Sequence, residues 1–548
     1  MKKLLRASAL LLVCVLVLTL LPATGRAATV LGDINGDGKV NNDDVLRLLW
    51  HTLFPEKYTI SVNADFDGEP GVTNGDVVQL LWHTMFPQKY PLDGTAGLFL
   101  AGFGMTDITP DDPVPLASYG DSANRISVGG YSALEARCVA LRDGEGQLML
   151  FLTGDVSWAP GSLAKTVRND LAAELGISAD YIIMSGTHTH ASVDTGLTSM
   201  QSVKNFNAKY IAGMKSAARA AIADLKPAEV YVGGVTTKSM NFVRRYIMDD
   251  GSLVGDNAYG TGTKIVSHET DADPELQLMR FVRQGGKDIL ISNFQAHPHL
   301  ESKQSYYSAQ TVGAIRDAVE DQLDAHSLHW QGAAGNLNTA SRISSENIYT
   351  SGKYSEAVRY GKEMVSKYIA PNYNKLTQVS TGNIQVRSVT YAGQVNHLYD
   401  SYVAQAQMVV DYFKAGNSAS ASATYAHAVS AQYRLERRIN SYYHASRIIS
   451  NAKLGATKNM TLYAWSFGDV GGVVLPYEMF DTSGMEMKTK SPFTRTFIVG
   501  YSYPSYTGYI PTEAGYANGG YEADNSVFAP GTAEGMVAEY LKMLEDMR

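Results

Sequence analysis

Tyr181-Ile-Ile-Met-Ser-Gly-Thr-His-Thr-His190 reads as a short apolar strand that runs out, through a glycine, into two histidines two residues apart. The surrounding chain repeats that layout. Apolar runs at Leu148 to Thr153 and Glu229 to Thr237 alternate with helix-like stretches at Ser162 to Leu175 and Phe206 to Leu225. From Gly97 onward this alternation predicts a mixed α/β domain whose polar motifs sit where strands end. Leu276 to Arg283 and Asp288 to Phe294 form a hairpin pattern around Gln284-Gly-Gly-Lys287, leading into Gln295-Ala-His-Pro-His299 and then a helix from Ser308 to about Leu323. Tyr399 to about Ile449 reads as two packing helices around Gly416-Asn-Ser-Ala-Ser420.

His188/His190 and His297/His299 are two H-x-H triplets among only 12 histidines. Residues two apart on a strand share a face, so both members of a triplet can approach one cleft. One metal ligand is expected from each triplet, with the other histidine in the surrounding shell or the substrate pocket. The alternative is histidines satisfied by hydrogen bonds at strand ends.

With 548 residues, 45% hydrophobic and 18% charged, the chain is globular, which excludes a disordered, collagenous or coiled-coil protein. Residues 1–28 carry Lys2, Lys3 and Arg6 and then an apolar run, and read as a secretory signal, so a secreted product is expected. Cys14 lacks the preceding small residue of a lipid-anchor motif. Acidic groups outnumber basic ones 54 to 46, and four of the basic ones precede residue 29, which argues against nucleic acid or anionic membranes as partners. Cys138 is the one cysteine left after processing, so no intramolecular disulfide is expected, and no later segment is apolar enough to span a membrane.

An internal repeat precedes the large domain: Asp44 to Tyr58 recurs as Asp76 to Tyr90. Before the first copy, Asp33, Asn35, Asp37, Lys39 (through its backbone carbonyl), Asn41 and Asp44 occupy loop positions 1, 3, 5, 7, 9 and 12 of a calcium loop, with Gly38 at position 6. The second loop offers Asp65, Asp67, Glu69, Gly71, Thr73 and Asp76, but has Pro70 at the turn position, and is the weaker site. Each loop leads into a single helix ending near Phe-Pro. Residues 31–93 thus resemble a type I dockerin, a small all-α calcium module. The resemblance implies two Ca²⁺ ions and a cohesin domain of a scaffoldin as partner, with Asn42-Asp43 and Asn74-Gly75 at the partner-selecting positions. His51 and His83 are expected to be surface or packing residues.

Gly102-Phe-Gly-Met-Thr-Asp-Ile-Thr-Pro110, Met184-Ser-Gly-Thr-His-Thr-His190, Asn293-Phe-Gln-Ala-His297, Leu475-Pro-Tyr-Glu478, Tyr509-Ile-Pro-Thr512 and Tyr521-Glu522 follow one another in an order that resembles neutral/alkaline non-lysosomal ceramidases over residues 97–548. The resemblance implies Zn²⁺ held by His188, His297, Glu478 and Tyr509, with Tyr506 as the fallback tyrosine. It implies His190 as a substrate-polarising or outer-shell group and Tyr521 as donor to the developing oxyanion. Arg244 and Arg245 match a segment lining the family's site, and are equally well read as surface arginines. Asp155 is either an outer-shell partner of the metal or a cap of the next element.

Gln331-Gly-Ala-Ala-Gly-Asn-Leu-Asn338 departs from the family pattern, placing Asn338 where the family has a catalytically implicated serine and Asn336 where it has an aspartate. The serine nucleophile is absent, so direct attack by metal-activated water is expected, with Asn338 orienting substrate or oxyanion. The C-terminal immunoglobulin-like domain of typical ceramidases is also expected to be missing. The leading expectation is a secreted zinc-dependent amidohydrolase acting on a lipid-like or acylated small molecule in an extracellular multienzyme complex. A deacylase or esterase of acylated glycans, and a non-catalytic glycan- or lipid-binding protein, stand as alternatives.

Overall fold

The structure, a computed structural model, describes residues 30–548 apart from 68–69, 88, 96, 120–121, 257–263, 347, 416–441 and 504–507. Residues 1–28, Glu69, Tyr506 and the segment around Gly416 therefore lie outside the described residues. The chain divides into two compact units, one up to Gly97 and the other Leu98–Arg548.

In the first unit, helices α1 (Asn42–Leu53) and α2 (Asn74–Met85) each begin with a capping box, Asn41 with Asp44 and Thr73 with Asp76. Capping boxes satisfy the first N–H groups of a helix, which explains why each helix starts where its loop ends. Val45, Leu48, Val77 and Leu80 join Ile34, Ala64, Phe66 and Leu92 in a small core. His51 and His83 bond through Nδ1 to the carbonyls of Tyr58 and Tyr90 at 2.8 Å, fastening the chain after each helix.

The large unit is built on a sheet of nine strands. In chain order they include β1 (Leu100–Asp107), β2 (Glu135–Arg142), β3 (Leu148–Gly154), β4 (Ile182–Gly186), β5 (Lys226–Thr236), β6 (Glu275–Arg283), β7 (Ile289–Phe294) and β8 (His326–Gln331), hydrogen-bonded in the order β8-β7-β6-β5-β1-β2-β3-β4, with Thr377–Val379 also on β5. β3/β4 and β7/β8 are parallel and the other neighbours antiparallel. The expected hairpin is present in register, Gln277 opposite Asn293 through Phe281 opposite Ile289.

Alternation explains why these strands read as unbroken apolar runs. Leu148, Leu150 and Leu152 face helices α3 (Gly161–Leu175) and α4 (Gln201–Ala223), while Met149 and Phe151 face the opposite layer. That layer is a four-stranded sheet, β9 (Ile384–Gln394), β10 (Thr457–Phe467), β11 (Val470–Val474) and β12 (Arg495–Val499), hydrogen-bonded in chain order, with β11/β12 parallel. Trp465, Phe467, Val474 and Phe497 meet Phe151 and Trp330 between the sheets. The outer face of the small sheet is covered by the helix Thr532–Glu545. Helix, sheet, sheet and helix thus stack in four layers, each interface a separate hydrophobic core.

Gly102 and Gly104 of the G-x-G motif lie in β1, and a Cβ at either would collide with the backbone of α4 around Ala217 and Ala221. The motif seats a helix. Finally, the large sheet curls until β2 and β3 return against β8: Arg137 donates to the Ser327 carbonyl at 2.7 Å, and Phe151 meets Trp330 edge-on at 4.9 Å. The curl brings the distant ends of β4 and β7 together.

Candidate active site

Three parallel strand pairs end at one place. His188 follows β4, and its Nδ1 is 2.8 Å from the carbonyl of Ser157, in the loop after β3. His297 follows β7, and its Nδ1 is 2.8 Å from the carbonyl of Ala334, in the loop after β8. Glu478 and Tyr501 follow β11 and β12. The loops interlock through backbone bonds, Gly186 N to Tyr501 O at 3.0 Å, Gly335 N to Met479 O at 2.9 Å and Gly500 N to Gln331 O at 2.8 Å. Crevices beyond the carboxyl ends of parallel strands are where open α/β sheets place their sites.

The two carbonyl contacts determine the chemistry of the histidines. A carbonyl only accepts, so the proton of each ring sits on Nδ1 and the Nε2 lone pair is left free. Those Nε2 atoms converge on Glu478: His297 Nε2 is 3.0 Å and His188 Nε2 3.6 Å from Glu478 Oε2. Despite the short distance, His297 Nε2 and Glu478 Oε2 are not aligned as a hydrogen bond, and both are buried with no partner among the described residues. His190 Nε2 lies 3.2 Å from His188 Nε2. His188, His190 and His297 form a group in which each offers a nitrogen within 4.8 Å of the others.

Burial keeps these rings neutral, pushing His188 down to about 3, His190 and His297 well below their ordinary value, and His299 to about 4. Burial also pushes the Glu478 carboxyl above the usual carboxylate range. Neutral imidazoles with free Nε2 atoms around an orphaned carboxylate oxygen are the donor set of a transition-metal site, and the residues fit zinc.

Tyr509 stands opposite Glu478 in a two-residue parallel ladder and hydrogen-bonds it. Its hydroxyl also accepts from Arg244 Nη2 at 3.0 Å. Tyr521 is half-buried and meets the Tyr509 ring edge-on at 5.6 Å. His299 and Tyr119 stand 5.0 Å and 5.3 Å from His190. Asn338 pairs with His297 through an isolated parallel bridge, and its Nδ2 donates to Asp256 Oδ2 at 3.0 Å. Asn336 and Asp481 exchange two bonds, of 2.7 and 2.9 Å, that pin the loop before it.

Two expectations are corrected. Arg244 and Arg245 are not surface arginines. They are buried side by side on Glu522, at 2.8 and 3.0 Å, and Arg245 also takes Glu269. Asp155 neither touches the cluster nor caps α3: it accepts both ends of the buried Arg316 guanidinium at 2.9 and 2.7 Å. Sequence reasoning missed Tyr501, which stacks on His188, and Trp158, which meets it edge-on at 5.1 Å. His188 itself adopts φ +61, an unusual backbone state for a non-glycine residue and a mark of a functional turn.

In the first unit the Asp33 carboxylate accepts from the N–H groups of Gly36, Asp37 and Gly38 at 2.7, 3.1 and 2.8 Å, and Asp44 from those of Ile34, Asn35 and Asn41 at 2.8, 3.0 and 2.8 Å. In the second loop, Asp65, Asp67 and Asp76 bring carboxylate oxygens within 4.8 Å of one another. Gly71, at φ +92, takes a left-handed state just after Pro70. The helices expose matching apolar stripes, Leu46, Trp50, Leu53 and Phe54 on and just after α1 and Val78, Trp82, Met85 and Phe86 at the equivalent positions of α2.

No protein-family model matches the sequence, and no curated protein sequence matches it. Among solved structures, the chain is similar to a ceramidase complexed with C2, 14% identical with a TM-score of 0.61 over 82% of this chain and 75% of that one. It is also similar to neutral ceramidase from Pseudomonas aeruginosa, 15% identical with a TM-score of 0.59 over 82% and 74%. The fold is ceramidase-like.

Proposed function

We propose that the large unit is a zinc-dependent hydrolase of N-acyl amide bonds in lipid-like substrates, with His188, His297, Glu478 and Tyr509 as metal ligands and His190 beside them. The observation that carries this reading is the convergence of the unpartnered His297 Nε2 and Glu478 Oε2 with the buried His188 and His190 nitrogens within a ceramidase-like fold. Zinc held there supplies an activated water and positive charge for a developing oxyanion. The protein's own contribution is preorganisation. The Ser157 and Ala334 carbonyls fix the imidazole tautomers, Arg244 holds the Tyr509 hydroxyl, and Tyr521 offers a neutral hydroxyl to the oxyanion. His190, kept neutral by burial, polarises substrate or passes a proton. Metal content by mass spectrometry, beside hydrolysis of a fluorogenic short-chain N-acyl amide before and after chelation, tests it. About one zinc per chain and activity restored by zinc are expected, and a folded, zinc-free, inactive protein would sink the reading.

We further propose that the chain is secreted and that its first unit is a calcium-dependent dockerin docking on a cohesin of a scaffoldin. The paired acidic loops and duplicated apolar stripes support this. Calorimetric titration with cohesins in calcium and then in chelator is the test, with binding expected only in calcium.

A further inference from the structure

Asn338 is 4% exposed and stands beside His297 in a parallel bridge, so both side chains project from the same face. Asp256 decides which way its amide faces. One carboxylate oxygen takes Asn338 Nδ2 at 3.0 Å, and the other takes Arg342 Nε at 2.5 Å. A carboxylate paired with a guanidinium accepts hydrogen bonds and donates none, so the amide NH₂ must face Asp256 and the carbonyl must face away. That carbonyl oxygen, Oδ1, is buried and without a partner among the described residues. A buried polar atom left unmatched is costly, and its persistence asks for a donor that arrives from outside.

One N–H of the Asn338 amide is held by Asp256, and the Tyr509 and Tyr521 rings stand together beside Glu478. What Asn338 adds is an acceptor. A secondary amide has one hydrogen to give, on its nitrogen, whereas an ester or a tertiary amide at the same position has none.

We propose that Asn338 Oδ1 accepts the N–H of the scissile amide, and that the pair Asn338–Asp256 makes the site selective for secondary amides over esters of the same acyl group. This rests on the hydrolase reading above. The orientation is built in before substrate arrives, because turning the amide over would set its carbonyl against the Asp256 carboxylate. Sites that hydrogen-bond a substrate donor discriminate strongly against analogues lacking it, because the buried acceptor is then left unpaired.

The zinc-loaded full chain is assayed on three probes: the hexanoyl amide of 7-amino-4-methylcoumarin, its N-methyl derivative, and the hexanoyl ester of 7-hydroxy-4-methylcoumarin. The ratio of kcat/KM for the secondary amide to that for the ester is expected to fall at least about tenfold in Asn338→Ala. Asp256→Asn removes the obligate acceptor that orients Asn338, and the ratio is expected to fall there also, which keeps the test alive if Asn338→Ala does not fold. Equal losses on all three probes would assign Asn338 a structural role and overturn the proposal. So would a wild-type protein that cleaves the N-methyl amide as fast as its parent. A zinc-loaded wild type that cleaves none of the three would overturn the hydrolase reading itself, which separates the two failures.

Discussion

The phenol ring of Tyr501 lies flat against the imidazole of His188, centroids 3.8 Å apart and planes 18° from parallel. Both residues take positive φ, +56 and +61, so two strained turns hold the stack. The ring fixes the imidazole from one face while the Ser157 carbonyl fixes it from the edge. Tyr501→Ala should weaken zinc binding about 10- to 100-fold, with Tyr501→Phe nearly unchanged. Competition with a chromophoric chelator measures both.

Glu522 holds two buried guanidiniums at once, Arg244 and Arg245. Glu522→Ala would leave Arg244 uncompensated in the interior and Arg245 with Glu269 alone, at a cost of about 3–5 kcal/mol, and would free Arg244 from the geometry in which it holds the Tyr509 hydroxyl. Denaturant unfolding gives the stability loss, and amide hydrolysis at a temperature where the variant is still folded gives the second effect.

Stability should fall as the medium is acidified below neutrality. Burial holds His188 and His329 at about 3 and His299 at about 4, against 6.5 for an unperturbed ring. Between 6.5 and those values the unfolded chain binds more protons than the folded one, so the folded state loses stability progressively as pH drops. Glu301 and Asp481, which burial raises to about 7 and about 6, oppose this: their folded forms bind the extra proton, and their contributions are lost as pH rises through those values. The histidines outnumber them. Melting of the metal-free protein should shift down from pH 6.5 to pH 4. His329 lies away from the cluster, bonded to Ser292 Oγ at 2.8 Å, and His329→Asn should flatten the slope by about 1.4 kcal/mol per pH unit.

Each acidic loop of the first unit can be silenced separately. Asp44 and Asp76 are fully buried carboxylates at equivalent positions of the two loops, each gathering loop N–H groups. Asp44→Ala should abolish the stronger calcium transition in a calorimetric titration and Asp76→Ala the weaker one, with amide hydrolysis unaffected in both.

Much of the large unit was legible because its signals are local. Leu148 to Leu152 alternates between two cores, and an unbroken apolar run is what a strand covered on both faces must look like. Gln284-Gly-Gly-Lys287 closes its hairpin where the turn residues stand, and both H-x-H triplets sit at strand ends. The remainder depended on distance. Ser157 and Ala334 act through backbone carbonyls, which no residue type announces. Arg244 meets Glu522 across 278 positions, so a pair of adjacent arginines read equally as lining the site or as surface charge, and the buried ion cluster they form was not visible. Asp155 sat beside the right strand end, but its partner Arg316 arrives from the helix Gln310–Leu323. The sheet's curl was also invisible, since β1 and β5 join through only Leu100 and Ala101.

That curl also governs timing. The cluster draws on a loop after residue 154, strand ends at 186, 294 and 331, and two more beyond 474, so nothing resembling it exists until nearly the whole chain has folded. A chain emerging in sequence order would be chemically silent until its last strands closed. Recovery of activity after denaturation should therefore follow the slowest folding phase, with no earlier burst. Two fragments separated at any point between His188 and Tyr509 would each lack part of the cluster.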